Sequence, residues 1–476
     1  MSIEELALRC LMPGFAGVVA PDWVRRRAAS GLGGVVLYAR NVESVEQLRA
    51  LNETLHGERS GLLIAIDEEG GDVTRLEATR GSSYPGNLAL GTAGDTELTR
   101  RVAAAMGAQL AAAGLDLDLA PDADVNTNPA NPVIGARAFG SDPKVVADHT
   151  AAWIAGLQGA GVAACAKHFP GHGDTSVDSH LDLPVVSEDP YLRALEPFRA
   201  AIAAGVQSIM SAHLLVPSLD TVPATISPRI MTRLLRGELG FEGLVITDGL
   251  EMKGLSDGYG VAEGAVRALI AGCDALCIGG GLAEEDVVEE ITRAIVAAVK
   301  AGRLTEARLA EAASRVDALA THPRSPHVTA ERNGVGLEAA RRAIRSEGEV
   351  AVGDEAVVVK LGWSRSMAAG GIPWGVADSL ADRAVRVRRF DLDDGPIDLD
   401  VILRAGQEQA MVVVVRDLHR FLGQAEAVDA ILARRPDAIV VEMGLPTCRP
   451  HGARAYIATH GAARVCGEAA AEVMRP

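Results

Sequence analysis

The chain has no run of 18 apolar residues, and a helix that crosses a bilayer needs about that many or more. No membrane-spanning helix is expected. The first ten residues, MSIEELALRC, carry acidic side chains where a secretory leader needs a basic stretch followed by an apolar one. That predicts a cytoplasmic protein. Positive charge is in deficit, with 46 Lys and Arg against 63 Asp and Glu and a formal net charge of −17. A surface of that sign is a poor match for a phosphate backbone, which excludes nucleic acid as a partner. Small anionic substrates, which sense only the local field, stay admissible. Cysteine is sparse and scattered: Cys10, Cys165, Cys273, Cys277, Cys448 and Cys466. Only Cys273 and Cys277 are close, and no second thiol or histidine pair stands at zinc spacing. Reduced thiols are the simpler reading. Internal repeats and low-complexity segments are also missing.

What is present is a long, apolar chain. Its 476 residues, 48% of them hydrophobic, suit a barrel of roughly 250 to 330 residues plus a smaller domain. Short apolar runs read as strands at Met12–Gly17, Gly34–Tyr38, Leu62–Asp67, Leu115–Leu119, Val162–His168, Ser208–His213, Leu244–Asp248 and Ala275–Gly279. Amphipathic stretches follow most of them: Val42–His56, Leu98–Ala113, Lys144–Gln158, Pro228–Glu238 and Glu284–Ala301. Eight such units in a row predict a closed (β/α)₈ TIM barrel over residues 1–320, with a doubly wound open sheet as the competing arrangement. Thr321–Gly336, rich in Pro, Arg, Asn and Gly, reads as a linker. Beyond it, Glu355–Leu361, Ala410–Val415, Ala438–Glu442 and, more weakly, Ala455–Thr459 read as strands of a smaller α/β sandwich domain over 337–476.

Barrel enzymes keep their chemistry where strands end and βα loops begin. Here the third strand ends at Asp67, the fifth at Lys167 and His168, the sixth at His213 and the seventh at Asp248. Charges so close to apolar runs are costly to bury without partners, so four strands ending this way point to one convergent polar site. The densest segment, KHFPGHGDTSVDSHLDLP from Lys167 to Pro184, holds three histidines and three aspartates in 18 residues. Its Pro and Gly residues make it a loop, long enough to reach over a barrel mouth and to move.

Other readings stand beside this one. The loop cluster is compatible with a solvated surface, although it starts directly from a buried strand. His168, His172, Asp174 and His180 are compatible with a metal site, although Lys167 beside His168 would repel a divalent cation and no outer carboxylate support is evident. His213 is equally readable as a packed histidine and as a ligand contact. Arg75 reads first as an ion-pair partner of Glu68 or Glu69. The Gly run at Ile278–Gly281 lacks a phosphate-loop pattern, and a barrel turn explains it.

These residues resemble glycoside hydrolase family 3, and within it the bacterial β-N-acetylglucosaminidases. The resemblance covers roughly residues 5–320 and rests on six segments. They are DEEGG at Asp67–Gly71, NPVIGARAFG at Asn131–Gly140, KHFPGHGDT at Lys167–Thr175, DSH at Asp178–His180, PATIS at Pro223–Ser227 and ITDGLEM at Ile246–Met252. The resemblance implies that Asp248 is the nucleophile, that His180 is the acid/base with Asp178 as its support, and that Asp67, Arg137, Lys167 and His168 hold the sugar. His213 joins the expected sugar contacts. Two departures are Glu68, where the family has glutamine, and Asp72, where it has arginine; both move the site's edge toward negative charge. The implied substrate is a β-linked N-acetylglucosaminide, such as a muropeptide or a chitobiose-type sugar.

A histidine in the acid/base role has a physical rationale. Imidazole titrates near neutrality, so it can both give and take a proton. Asp178, two residues away, can bond its other nitrogen and fix the tautomer, as the aspartate of a serine-protease triad does. If His180 were not the acid, Glu69 and Glu442 would be the next candidates. After the first step a carboxylate acid/base would repel phosphate and a neutral histidine would not, so phosphorolysis stands as the alternative to hydrolysis. A catalytically dead sugar-binding barrel would lack Asp248 or His180, and both are present. The set needs neither metal nor organic cofactor, so EDTA is expected to leave turnover unchanged. Activity lost on chelation and restored by zinc or manganese would favour a metallohydrolase instead.

Overall fold

The computed structural model describes every residue except 188, 190, 192, 282–283, 323–333, 363–369 and 393–398. Most of the expected linker therefore lies outside the described residues. Two compact units emerge. One comprises Met1–Glu69, Thr99–Ile134 and Ser141–Arg332; the other comprises Gly70–Leu98, Gly135–Gly140 and Asn333–Pro476. The second thus draws in two segments that sequence alone assigns to the barrel.

The first unit contains all eight expected strands. They are β1 (Leu11–Pro13), β2 (Gly34–Leu37), β3 (Leu63–Ile66), β4 (Leu117–Asp118), β5 (Ala163–Phe169), β6 (Ser208–Ser211), β7 (Leu244–Thr247) and β8 (Leu276–Ile278). All are buried along their length, as parallel strands covered by helices must be. Strands β2 to β7 form one parallel sheet in chain order, and β1 pairs with β8. A parallel bridge between Ile246 and Ala275 joins β7 to the approach of β8. The Gly33 N–H bonds the Leu8 carbonyl just ahead of β2 and β1, at 3.2 Å. The sheet closes on itself, which sets aside the open doubly wound arrangement. Strand β4 is two residues long, shorter than the Leu115–Leu119 run suggests, because its ladder ends early on both sides.

Local chemistry starts the surrounding helices. Asp142 caps Pro143–Gly159 by accepting from the Lys144 N–H at 2.8 Å, and Pro143 supplies the first helical φ. Val146, Thr150, Trp153, Ile154 and Leu157 follow at helical spacing and form the buried face. Ser44 and Thr305 cap Val45–Glu58 and Glu306–Ala320 in the same way. The segment Arg229–Glu238 is helical as expected but wound with π spacing.

The second unit holds a six-stranded sheet. Its strands are β9 (Arg345–Glu347), β10 (Glu355–Leu361), β11 (Arg386–Leu392), β12 (Ala410–Val415), β13 (Ile439–Glu442) and β14 (Ala455–Ala458), in the order β11-β10-β12-β13-β14-β9. Only β9 runs antiparallel. Alternate residues of the central strands feed two cores. Val358, Val412, Val414, Val441 and Ile457 face one; Val357, Val359, Met411, Val413 and Val440 face the other. Helices cover both, giving a three-layer α/β sandwich. Strands β9 and β11 escape sequence detection because they are edges: RSE and RVRRFDL are largely exposed and charged, which protects an unpaired edge from aggregation.

The barrel's lower end is locked by one carboxylate. Asp274, fully buried just before β8, accepts from Arg236 (2.5 Å), Arg308 (2.8 Å), Arg315 (3.2 Å) and the Val245 N–H (3.0 Å). It ties two strands to two outer helices at the end opposite the strand C-termini, where side chains serve stability. Asp274→Ala leaves three guanidinium groups without that partner and is expected to cost about 3–5 kcal/mol. Denaturant unfolding measures it, and an unchanged midpoint would refute the lock.

Candidate active site

The strand ends carry the expected polar residues. Asp67 follows β3, Lys167 and His168 lie in the last turn of β5, His213 lies two residues past β6, and Asp248 follows β7. Lys167 is almost fully buried and donates to Asp67 Oδ1 at 2.5 Å and Glu69 Oε1 at 2.6 Å. A buried ammonium needs such partners. Two of the three carboxylates of DEEGG are thereby fixed on the lysine of KHFPGHGDT. Glu69, a fallback acid, is committed to this pair. Glu68 is buried and hangs its N–H on Asp118 Oδ1 at 2.9 Å.

His168 is set by Asp124, a residue the sequence reading did not single out. Asp124 Oδ2 accepts from His168 Nδ1 at 2.7 Å, and Asp122 Oδ2 stands 3.8 Å from the same nitrogen. A carboxylate partner on Nδ1 favours the tautomer with its proton on that nitrogen and fixes the ring's orientation. The signal in the sequence is DAD at Asp122–Asp124, two residues beyond the fourth apolar run.

Asp248 is partly buried, and its backbone N–H bonds the Ser211 carbonyl at 3.2 Å, holding β7 to β6. Burial alone would raise its pKa. The charges of His168, His213 and His180 and a bond from the Gly249 N–H more than offset that and keep it below the ordinary aspartate value. His213 is fully buried with both ring nitrogens engaged. Nε2 donates to the Gly249 carbonyl at 3.0 Å, and Nδ1 meets Thr225 Oγ1 of the PATIS segment at 2.8 Å. It fits the packed-histidine reading better than the expected sugar contact, since it fixes the turn after Asp248.

Asp178 and His180, the pair that the resemblance puts forward as acid/base and support, are hydrogen-bonded to each other. Asp178 Oδ1 accepts from His180 Nδ1 at 2.7 Å and from the His180 N–H at 2.9 Å. Burial pushes the Asp178 carboxyl up, but the bonds and charge of His180 bring it below its usual value. His180 is a quarter exposed at its side chain, so its ring can exchange protons with a substrate.

The metal set considered from sequence does not assemble. His172 bonds Thr175 and Ser179, Asp174 accepts from Ser187, and His180 pairs with Asp178. Among the described residues, the carboxylate and imidazole groups within ligating reach of one another are Asp122, Asp124 and His168. Both Asp124 oxygens are already occupied, one by His168 and one by the His172 N–H at 2.6 Å.

Arg137 falls in the second unit, in the short turn Gly135–Arg137, where its carbonyl accepts from Asn87 at 2.7 Å. Asp72 belongs to that unit too and forms an ion pair with Arg416. Glu442, the other fallback acid, accepts from the N–H groups of Asp417, Leu418 and Gly444. Burial, with the charge of Asp417, raises it to about 7. It knits the ends of β12 and β13 together.

Known proteins resemble this chain in sequence and in fold. The sequence profile described as "Glycosyl hydrolase family 3 N terminal domain" matches residues 18–319. β-Hexosaminidase A of Pseudoalteromonas piscicida is 35% identical over 319 residues, 61% of this chain and 53% of that protein. A β-hexosaminidase of Alkalilimnicola ehrlichii is 40% identical over 255 residues, 51% of this chain and 72% of that protein. The chain therefore spans about half the length of the first and nearly three quarters of the second. A family 3 β-N-acetylglucosaminidase from Paenibacillus sp. superposes with a TM-score of 0.89 at 33% identity, over all of this chain and 97% of that one.

The burial of His172 has a measurable consequence. Desolvation lowers its pKa from 6.5 to about 4. Between those values the unfolded chain binds more protons than the native one, so stability present above pH 6.5 is lost as pH falls toward 4. The loss is up to about 3 kcal/mol from this group alone. His172→Gln cannot titrate there, so its denaturant midpoint should fall less than the wild type's between pH 7 and pH 4.5. Equal falls would contradict a buried neutral imidazole.

Proposed function

The chain belongs to glycosyl hydrolase family 3, and from that premise we propose that it is a retaining β-N-acetylglucosaminidase. It acts through a covalent glycosyl-aspartate intermediate on terminal β-linked N-acetylglucosamine. The observation that carries the reading is the meeting of two groups in one barrel. Asp248 is partly buried and kept below the ordinary aspartate value by nearby histidines, and His180 is fixed by Asp178 at 2.7 Å with its side chain a quarter exposed.

Retaining enzymes generally use one carboxylate as nucleophile and a second group as acid and then base. In the first step Asp248 attacks the anomeric carbon. His180 gives its Nε2 proton to the departing glycosidic oxygen while Asp178 stabilises the ring and keeps the Nδ1 proton in place. In the second step His180 takes a proton from the incoming acceptor, which attacks the same carbon and releases Asp248. Lys167, Asp67 and His168 hold the sugar's hydroxyls. The role of His213 is to fix the turn that carries Asp248. Water is the proposed acceptor, in keeping with the hydrolase names of the relatives. A cytoplasmic place in cell-wall or amino-sugar turnover, with a muropeptide or chitobiose-type substrate, completes the reading.

Asp248→Ala is expected to abolish turnover in a folded protein. His180→Ala should lose about 10² to 10⁴ on a disaccharide, the usual worth of general acid–base help. It should lose less in the first step on an activated nitrophenyl glycoside, whose leaving group needs little protonation. Products are then analysed with and without phosphate. Free N-acetylglucosamine in both cases supports hydrolysis, and the sugar 1-phosphate would overturn it for phosphorolysis. A His180→Ala loss independent of leaving-group acidity, with bond cleavage rate-limiting, would remove His180 from the acid role.

A further inference from the structure

His180 sits on a loop, and a loop residue that must place a proton needs something to hold it. The bond to Asp178 cannot do this alone, because Asp178 is on the same loop two residues away. The anchor has to come from outside.

Ser179, between the two, is 2% exposed although it lies between catalytic-pair residues on a surface loop. Its hydroxyl faces His172 Nε2 at 3.3 Å, and its carbonyl accepts from the Gly254 N–H at 3.0 Å. Gly254 admits this approach because it has no side chain: a Cβ there would meet the carbonyls of His213, Asp182 and Ser179 at 2.9, 3.2 and 3.2 Å. His172 is also 2% exposed and is held on every polar atom. Its N–H bonds Asp124 Oδ1 at 2.6 Å, its carbonyl accepts from Asn131 at 2.8 Å, and its Nδ1 meets Thr175 Oγ1 at 2.7 Å. The Thr175 hydroxyl proton goes to the His172 carbonyl at 2.9 Å. Nδ1 is therefore the donor toward Thr175, and Nε2 is left to accept from Ser179.

We infer that His172 and Ser179 form a clasp that positions His180 over Asp248, the two acting as positioning residues for the proton transfer. A continuous line of bonds results. Asp124 binds the ring of His168 with one oxygen and the backbone of His172 with the other. His172 holds Ser179, and the next residue is His180. The part of the site that grips the sugar and the part that moves the proton are thereby referenced to one carboxylate.

The inference rests on His180 as the acid/base, and the test separates the two. Rates are measured for wild type, Ser179→Ala and His180→Ala on N-acetylglucosaminides with leaving groups of graded acidity. Inhibition by free N-acetylglucosamine and thermal unfolding are followed alongside. Loss of one hydrogen bond in a positioning role corresponds to roughly a tenfold effect. Ser179→Ala should therefore lose about that much on the poorest leaving groups and little on the best. Its inhibition constant for the free sugar should be unchanged. Ser179→Thr, which keeps the donor, should recover most of the loss. His172→Gln, which keeps an acceptor near the Nε2 position, should be milder than His172→Phe and gives a second entry if Ser179→Ala folds poorly. A Ser179→Ala loss equal for all leaving groups, or confined to thermal stability, overturns the clasp while the His180 reading stands. If His180→Ala is itself insensitive to the leaving group, the acid/base reading falls and the clasp falls with it.

Discussion

A charge removed from water needs an opposite charge or hydrogen bonds in its place, and the mouth of the barrel is organised around that demand. Lys167 is matched by Asp67 and Glu69. Asp124 is matched by an imidazole N–H and a backbone N–H. Asp248 is matched by the field of three histidines. Each pairing fixes a side chain in one orientation before any sugar arrives. Groups fixed in this way need no rearrangement at the moment of reaction, and that preorganisation is a large part of how enzymes stabilise developing charge.

The same demand separates the site into parts of different stiffness. Asp248, Lys167 and His168 rise from strand ends and inherit the rigidity of the barrel. Asp178 and His180 belong to a loop instead, and the His180 side chain is a quarter exposed. Gly173, in the PGHGDT stretch, lets this loop root lie against the fourth βα loop: a Cβ there would fall 1.8 Å from the Val125 carbonyl. The loop is free to reach outward because its root is so closely packed.

Two of the resembling segments pass from one compact unit to the other partway along the chain. DEEGG divides between Glu69 and Gly70, and NPVIGARAFG divides between Ile134 and Gly135. The departure at Asp72 gains a physical meaning from this. It is paired with Arg416 inside the second unit, so the negative charge that looked like an addition to the site's edge is matched within the sandwich domain.

Much of this was legible in the residues. Apolar runs with period-matched helices between them give eight strands, and their ends give Asp67, Lys167, His168 and Asp248, because a barrel places strand C-termini together whatever the loops do. The resemblance carried by DSH gives the His180–Asp178 pair, and a two-residue spacing lets the Asp178 carboxylate reach the His180 ring. Strands β9 and β11 were not legible, because an edge strand has no two-sided burial to leave an apolar signature. Nor was Asp124, whose importance lies in bonding residues 44 and 48 positions further along the chain. His213 could be read either way until Thr225 and the Gly249 carbonyl were found on its two nitrogens. The sequence by itself determined which side chains stand at the mouth of the barrel, since that follows from local periodicity. Only the tertiary structure decided what each of them bonds, because hydrogen-bond partners are set by proximity in space, and a chain carries no local trace of a neighbour forty residues away.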